Sequence, residues 1–284
     1  MIAAHSEFEA RQIIARFDAR ATRHDAMFLG RKVAWRRFGS GPPLVLLHGG
    51  HGSWLHWIRN IDALSARYTV WLPDMPSFGD SDALEGDPHA EDRMLRFVGA
   101  VSLTMDMLVG SGTSVDLCGF SFGGITAAFL GAKRGHIRRL ALIGAGAHGG
   151  ARRQTIDLVD WRVPDRVGML AALRRNLVPF MLHDEGSADA LALAIHEWSC
   201  VQTRFRSKAI AQAGGLAQAL DQIAAPMLLV WGEHDVTAMP DEVATRLTRG
   251  HANREFRILK DAGHWAQYEK AEEVNAVLLE WFGT

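Results

Sequence analysis

The sequence predicts an α/β protein, with a mostly parallel central sheet, helices on both faces and a helical lid inserted between two late strands. Two observations predict the sheet. Short continuous apolar runs such as LVLLH (Leu44–His48) and MLLVWG (Met227–Gly232) have the composition of strands covered on both faces. Helical stretches fall between most of these runs, and strand–helix alternation is the pattern of parallel strands joined by crossover helices. A third observation predicts the insertion. Between Gly149 and Gly215 the alternation stops, and no stretch reads as a strand.

In chain order, Ala10, Ile14 and Phe17 mark one face of an amphipathic first helix, and KVAWRRF (Lys32–Phe38) alternates enough for a strand. Gly39 to Pro43 turn the chain into LVLLH. YTVWLP (Tyr68–Pro73), SVDLCGF (Ser114–Phe120), LALIGA (Leu140–Ala145), MLLVWG and EFRILK (Glu255–Lys260) complete the strands. Helices are expected over 57–66, 91–108, 124–133 and 241–247. The last helix is marked by Val274, Val277, Leu278 and Trp281 at i, i+3, i+4, i+7 spacing. In the interrupted region VGMLAALRRNLVPFML and ADALALAIHEWSCVQ read as helices. Nine Lys or Arg stand against seven Asp or Glu there, so the segment is no charged tail. The expected organisation is a core of residues 1–148 and 216–284 with a cap over 149–215, lying above the strand ends where open α/β sheets bind ligands. Of its apolar residues Trp161, Met169, Leu170, Leu177, Phe180, Met181, Leu182 and Trp198, most are expected to pack and some should face the cleft.

Composition narrows the function. With 284 residues the chain can bury an ample core. A formal charge of −1 with mixed signs gives no reason to expect nucleic acid or an anionic membrane as partner. No basic segment followed by an apolar run opens the chain, and no stretch reaches ~18 consecutive apolar residues. Cys118 sits inside an apolar strand and reads as a small buried hydrophobe, leaving Cys200 unpaired. A soluble cytoplasmic enzyme with reduced thiols, acting on a small-molecule substrate and free to form a homo-oligomer, is the expectation.

The chemistry concentrates in Gly119-Phe120-Ser121-Phe122-Gly123. G-x-S-x-G with a strand before it and a helix after it is a nucleophile elbow, a tight turn that lifts the serine clear of the sheet above a helix N-terminus. A serine hydroxyl is a poor nucleophile near neutral pH, so it needs a base, and the base needs an orienting carboxylate. Downstream, WGEHD offers Asp235 just past a strand, and DAGHWAQYE offers His264 after the next. Glu233 and Asp261 are rival acids. An oxyanion also needs donors: the glycines of LLHGGHGSW place Gly50 N–H and Phe122 N–H as the pair, with His51 second in line to Gly50. His48, His51 and His56 have no Cys or carboxylate at ligand spacing, so neither a metal nor another cofactor is expected.

LLHGGHGSW, LPDMPSFGDSD, GFSFGG, WGEHD and DAGHWAQYEKAEEVN together resemble the α/β-hydrolase superfamily over nearly the whole chain, which implies the α/β-hydrolase fold and a Ser121–His264–Asp235 triad. GHWAQYEKAEEVN further resembles the hydrolases that cut the carbon–carbon bond of aromatic ring-cleavage products, in which a tryptophan follows the catalytic histidine as Trp265 does here. In that group the oxyanion loop is longer and carries an asparagine near the place of His56, and a cap arginine holds the substrate carboxylate. Trp265, His56, Arg204 and Arg206 are therefore the candidate substrate-binding residues, the arginines without a matching motif. The resemblance implies hydrolysis of small to medium esters with an apolar part, or of 2-hydroxy-6-oxo-dienoates. Serine at the elbow sets the chain apart from dehalogenases and epoxide hydrolases, which carry aspartate there. A non-catalytic ligand-binding protein of the same fold is the reading of another class.

Overall fold

A computed structural model describes residues 2–154 and 156–283. After helix α1 (Glu7–Arg20) come strands β1 (Thr22–Phe28), β2 (Arg31–Phe38) and β3 (Pro43–Leu47), a 3₁₀ turn at Trp54–Trp57, helix α2 (Ile61–Ser65) and β4 (Thr69–Pro73). Helix α3 (Arg93–Val109), β5 (Val115–Phe120), α4 (Phe122–Arg134) and β6 (Ile137–Ile143) follow. Among the described residues four α-helices then run without a strand: α5 (Arg166–Met181), α6 (Ala190–Val201), α7 (Lys208–Gln212) and α8 (Leu216–Leu220). The chain closes with β7 (Met227–Gly232), α9 (Pro240–Thr248), β8 (Arg254–Leu259), α10 (Ala266–Glu269) and α11 (Ala271–Gly283).

The eight strands form one sheet in the order β1-β2-β4-β3-β5-β6-β7-β8. The pairs β1–β2 and β2–β4 are antiparallel; from β4 to β8 every pair is parallel. Alternation along β3 divides the core in two. Leu44 and Leu46 enter the cluster on one face with Cys118, Phe120 and Trp265, whereas Val45 and Leu47 enter the other with Leu117, Leu140 and Phe122. Burial on both faces is why β3, β5 and β7 appear in the sequence as unbroken apolar runs. Because β3, β5, β7 and β8 are parallel, the loops that follow them gather at one edge of the sheet.

Three differences from the sequence reading have physical causes. β1 was not expected: it is an edge strand, TRHDAMF, in which only Ala26 is buried, so no apolar run marks it. The helix expected over 57–66 is a 3₁₀ turn followed by the five-residue α2. Helices α7, α8 and α10 have five, five and four residues, too short for a 3.6-residue period to show.

The helices between β6 and β7 stand against the amino-terminal helix. α6 packs on α1, Ala190 N–H donates to Ala4 O at 3.2 Å, and Arg166 pairs with Glu7 at 2.9 Å and with Glu197 at 3.0 Å. α8 packs instead on α4, returning the chain to the sheet. Cys118 and Cys200 are both buried and unpaired. Among the described residues no helix is long and apolar enough to cross a membrane.

Candidate active site

Ser121 joins β5 to α4 at φ 52°, ψ −113°, a conformation that costs energy for any residue with a side chain. The neighbouring glycines make the turn sterically feasible. A Cβ on Gly119 would lie 2.2 Å from Gly123 O, and one on Gly123 would lie 2.4 Å from the carbonyl oxygens of both Leu47 and His48. All of these are backbone atoms that cannot move aside, so α4 can approach β3 and β5 this closely only without side chains at these positions.

His264 enters from the β8–α10 loop, which is tied to the end of α5 by Trp265 N–H donating to Met181 O at 2.6 Å. Its Nε2 lies 2.9 Å from Ser121 Oγ and its Nδ1 lies 2.8 Å from Asp235 Oδ2. The second oxygen of Asp235 accepts from the backbone N–H of Thr237 at 2.8 Å and from its hydroxyl at 2.7 Å. Complete burial pushes the Asp235 pKa up, but His264 and the two Thr237 donors outweigh it and hold the carboxyl below its ordinary range. Asp235 is therefore ionised. With a carboxylate facing Nδ1, the imidazole carries its proton there and leaves Nε2 free to accept from the serine. Of the rival acids, Glu233 accepts from Asp261 N–H at 3.2 Å, and neither carboxylate bonds His264.

The loop after β3 is held by two buried histidines. Met75 N–H donates to His48 Nε2 at 3.0 Å, so the His48 proton is on Nδ1, where it donates to Gly49 O at 2.8 Å. His56 Nδ1 accepts from Gly49 N–H at 3.2 Å. Burial, only partly offset by the Gly49 carbonyl, drives the His48 pKa down to about 4, and burial together with neighbouring histidines lowers that of His56 well below its usual value. In a trans peptide the C=O and N–H point in opposite directions, so anchoring Gly49 O on His48 turns Gly50 N–H away from that ring. Gly50 and Phe122, the first residue of α4, both line the cavity beside Ser121, as does His51 at φ 48°.

That cavity has a volume of about 340 Å³ and adjoins a second of about 360 Å³, the two sharing Gly50, His51, Leu158, Phe180 and Met181. Among the described residues no Asp or Glu lines the first chamber, while Arg152 and Lys208 stand at its exposed rim. Trp161, Arg162 and His196 line the second. Phe180, Met181 and Trp161 thus face the cleft, whereas Leu177 and Leu182 are buried in the core.

The candidate substrate-binding residues are placed elsewhere. His56 and Trp265 are 1% and 0% exposed and lie beneath the loop, with Trp265 Nε1–H donating to His56 O at 3.0 Å. Arg204 turns to the 77–82 loop: its N–H donates to Ser77 O at 2.8 Å and its guanidinium to the carbonyls of Gly79 and Ser81. Arg206 lies 3.3 Å from His89 Nε2. None of these four lines the chamber that holds Ser121. Thr237, Arg152, Lys208 and Ser207 are the site residues that sequence reasoning missed; only the position of Thr237, two residues after the acid, offered a signal.

Among the described residues one cluster has the residue types of a metal site. His183, His234 and Asp261 bring one donor atom each within 4.8 Å. The two rings are stacked at 3.6 Å with 7° between planes, so their lone pairs run side by side and do not meet at a common ion.

Comparison with known proteins supports the fold. The sequence profile of the alpha/beta hydrolase family matches residues 44–277. A 2-hydroxy-6-oxononadienedioate/2-hydroxy-6-oxononatrienedioate hydrolase from Paraburkholderia phymatum is 30% identical over 272 residues, covering 89% of this chain and 91% of that protein. A 2-hydroxy-6-oxo-6-phenylhexa-2,4-dienoate hydrolase from Comamonas testosteroni is 26% identical over 265 residues, covering 88% and 90%. In fold, the chain is similar to a meta-cleavage product hydrolase from Pseudomonas fluorescens IP01 (TM-score 0.75, 20% identity, 92% of this chain and 97% of that one). An esterase from Rhodococcus sp. ECU1013 is similar to the same degree (TM-score 0.76, 20% identity, 93% and 99%). With a profile match across most of its length and a relative at 30% identity along nearly all of it, the chain belongs to the alpha/beta hydrolase family.

Proposed function

We propose that the protein is a serine hydrolase working through an acyl-enzyme on small to medium carboxylic esters with an apolar part. The observation that carries this reading is the relay Ser121 Oγ–His264 Nε2 at 2.9 Å and His264 Nδ1–Asp235 Oδ2 at 2.8 Å, opening on a chamber of about 340 Å³. Ser121 Oγ attacks the carbonyl carbon while His264 Nε2 takes its proton, and Asp235 steadies the imidazolium. The carbonyl electron pair moves onto oxygen, where the N–H groups of Gly50 and Phe122 receive the charge, with the positive end of α4 behind Phe122. Collapse expels the leaving alkoxide, protonated by His264, and a water deprotonated by the same nitrogen then releases the acid. Phe180, Met181 and Trp161, carried by the 149–215 cap, supply apolar wall.

A second reading, hydrolysis of a carbon–carbon bond in 2-hydroxy-6-oxo-dienoates, is favoured by the two curated relatives. It needs a cation for the substrate carboxylate, and Arg152 and Lys208 at a rim without acidic residues are the groups placed to supply it. A turnover screen decides between them: p-nitrophenyl esters of graded acyl length against a coloured ring-cleavage dienoate. A fluorophosphonate serine probe belongs in the same experiment. Ser121→Ala should abolish turnover and labelling with the fold intact. An unlabelled wild-type protein without turnover would instead point to a binding protein of this fold.

A further inference from the structure

Ser207 occupies the N-cap position of α7, where a serine side chain ordinarily accepts a hydrogen bond from the first turn of the helix. Here the side chain makes no capping bond, and among the described residues its hydroxyl has no hydrogen-bond partner. The residue is nevertheless only 7% exposed. The hydroxyl itself is not sealed in the core: it opens on a chamber, where a ligand can take the bond that water otherwise holds.

Its placement says which atom of a ligand that would be. Ser207 lines the chamber that holds Ser121 and His264. A Cβ built on Gly50 would lie 2.6 Å from Ser207 Oγ, so the hydroxyl stands directly against Gly50, the residue whose N–H the His48 and His56 anchors set in place. Nothing larger than glycine fits at position 50 while Ser207 keeps this place.

We propose that Ser207 is a further catalytic residue: its O–H donates a third hydrogen bond to the carbonyl oxygen as negative charge develops there. This rests on the reading that Ser121 is the nucleophile and that Gly50 and Phe122 N–H face the oxyanion. The proton stays on Ser207 throughout. The carbonyl electron pair moves to oxygen on attack and back on collapse, and the hydroxyl strengthens its bond only in between, which is the condition for lowering the barrier without tightening substrate binding. Because Ser207 belongs to the 149–215 insertion, while Gly50 and Phe122 belong to the sheet loops, the donor set is complete only when the insertion is seated on the core.

The test is steady-state kinetics and inhibition by a trifluoromethyl ketone matched to the best ester of the screen. Ser207→Ala should lower kcat by about 10- to 100-fold with KM within about threefold, somewhat below the loss seen when a principal oxyanion donor is removed. Affinity for the ketone, which forms the tetrahedral adduct, should fall by a similar factor. Ser207→Thr and Ser207→Val differ by the hydroxyl alone at nearly equal volume, so they keep the question open to measurement even if the alanine variant folds poorly. Thr should retain most of kcat, and Val should behave as Ala. A kcat within threefold of wild type in Ser207→Ala, equal rates in Thr and Val, or a change confined to KM would overturn the proposal. Loss of the serine-hydrolase reading itself would look different, with Ser121→Ala still active or the wild type refractory to the fluorophosphonate.

Discussion

Asp235→Asn tests the relay most sharply, because the structure dictates which way the new amide must face. Asp235 Oδ1 receives two donors from Thr237, the N–H at 2.8 Å and the O–H at 2.7 Å. Turning an NH₂ toward them would strand two buried donors at roughly 1–3 kcal/mol each, so the amide oxygen stays on Thr237 and the NH₂ faces His264 Nδ1. That nitrogen must then accept, its proton moves to Nε2, and Nε2 can no longer accept from Ser121 Oγ at 2.9 Å. The expected loss in acylation rate is about three to four orders of magnitude, roughly 4–5.5 kcal/mol of barrier, by analogy with the same exchange in serine proteases. Stopped-flow measurement of the p-nitrophenol burst reads the step directly. Adding Thr237→Val removes one of the two donors that impose the orientation, so the double variant should be no slower than Asp235→Asn alone. A loss below tenfold in Asp235→Asn, or a larger loss in Glu233→Gln, would refute the reasoning.

Three further outcomes follow from the geometry. His48 and His56 are neutral in the fold with depressed pKa values, so their contribution to stability is full above the unfolded histidine value of ~6.5 and is lost as pH falls toward 4. For His48 the loss reaches about 3 kcal/mol by pH 4. Urea titrations between pH 7.5 and 4.5 should show uptake of about two protons on unfolding from this pair, and a flat profile would exclude it. Arg204→Ala breaks guanidinium bonds to two loop carbonyls, so it should cost about 1 kcal/mol of stability and affect a neutral ester and an anionic dienoate alike; selective loss on the dienoate would return Arg204 to the substrate. Gly123→Ala drives a Cβ against two fixed carbonyls, and thermal melting should register a destabilisation of about 2–3 kcal/mol or failure to fold.

What the sequence disclosed divides along a physical line. β3, β5 and β7 are covered on both faces, so their apolar runs stand out, and the elbow announces itself because only glycine tolerates the contacts at positions 119 and 123. β1 stayed hidden because an edge strand with one buried residue has no periodic signal. The residues proposed to meet the substrate were the least legible. Arg152, Lys208 and Ser207 reach the cleft from segments without a repeating pattern, and their roles depend on how the chain between β6 and β7 folds back. Arg204 shows the converse: the sequence marks a cation near the right place, but backbone carbonyls 123 and 125 residues away take it.

The contact between α1 and α6 reaches beyond the two helices themselves. With Ala4, Glu7 and the rest of α1 fastened to Ala190, Arg166 and α6, the helices between β6 and β7 are held along one side. The opposite side is held as well: Arg204 N–H donates to Ser77 O and its guanidinium to the carbonyls of Gly79 and Ser81, and Ala147 N–H donates to Ala211 O at 2.8 Å. None of the described residues 2–20 lines the chamber of Ser121, yet α1 carries one of the two attachments that seat the helices lining it. The amino-terminal helix thus bears on the shape of the chamber from a distance, without contributing a side chain to its wall.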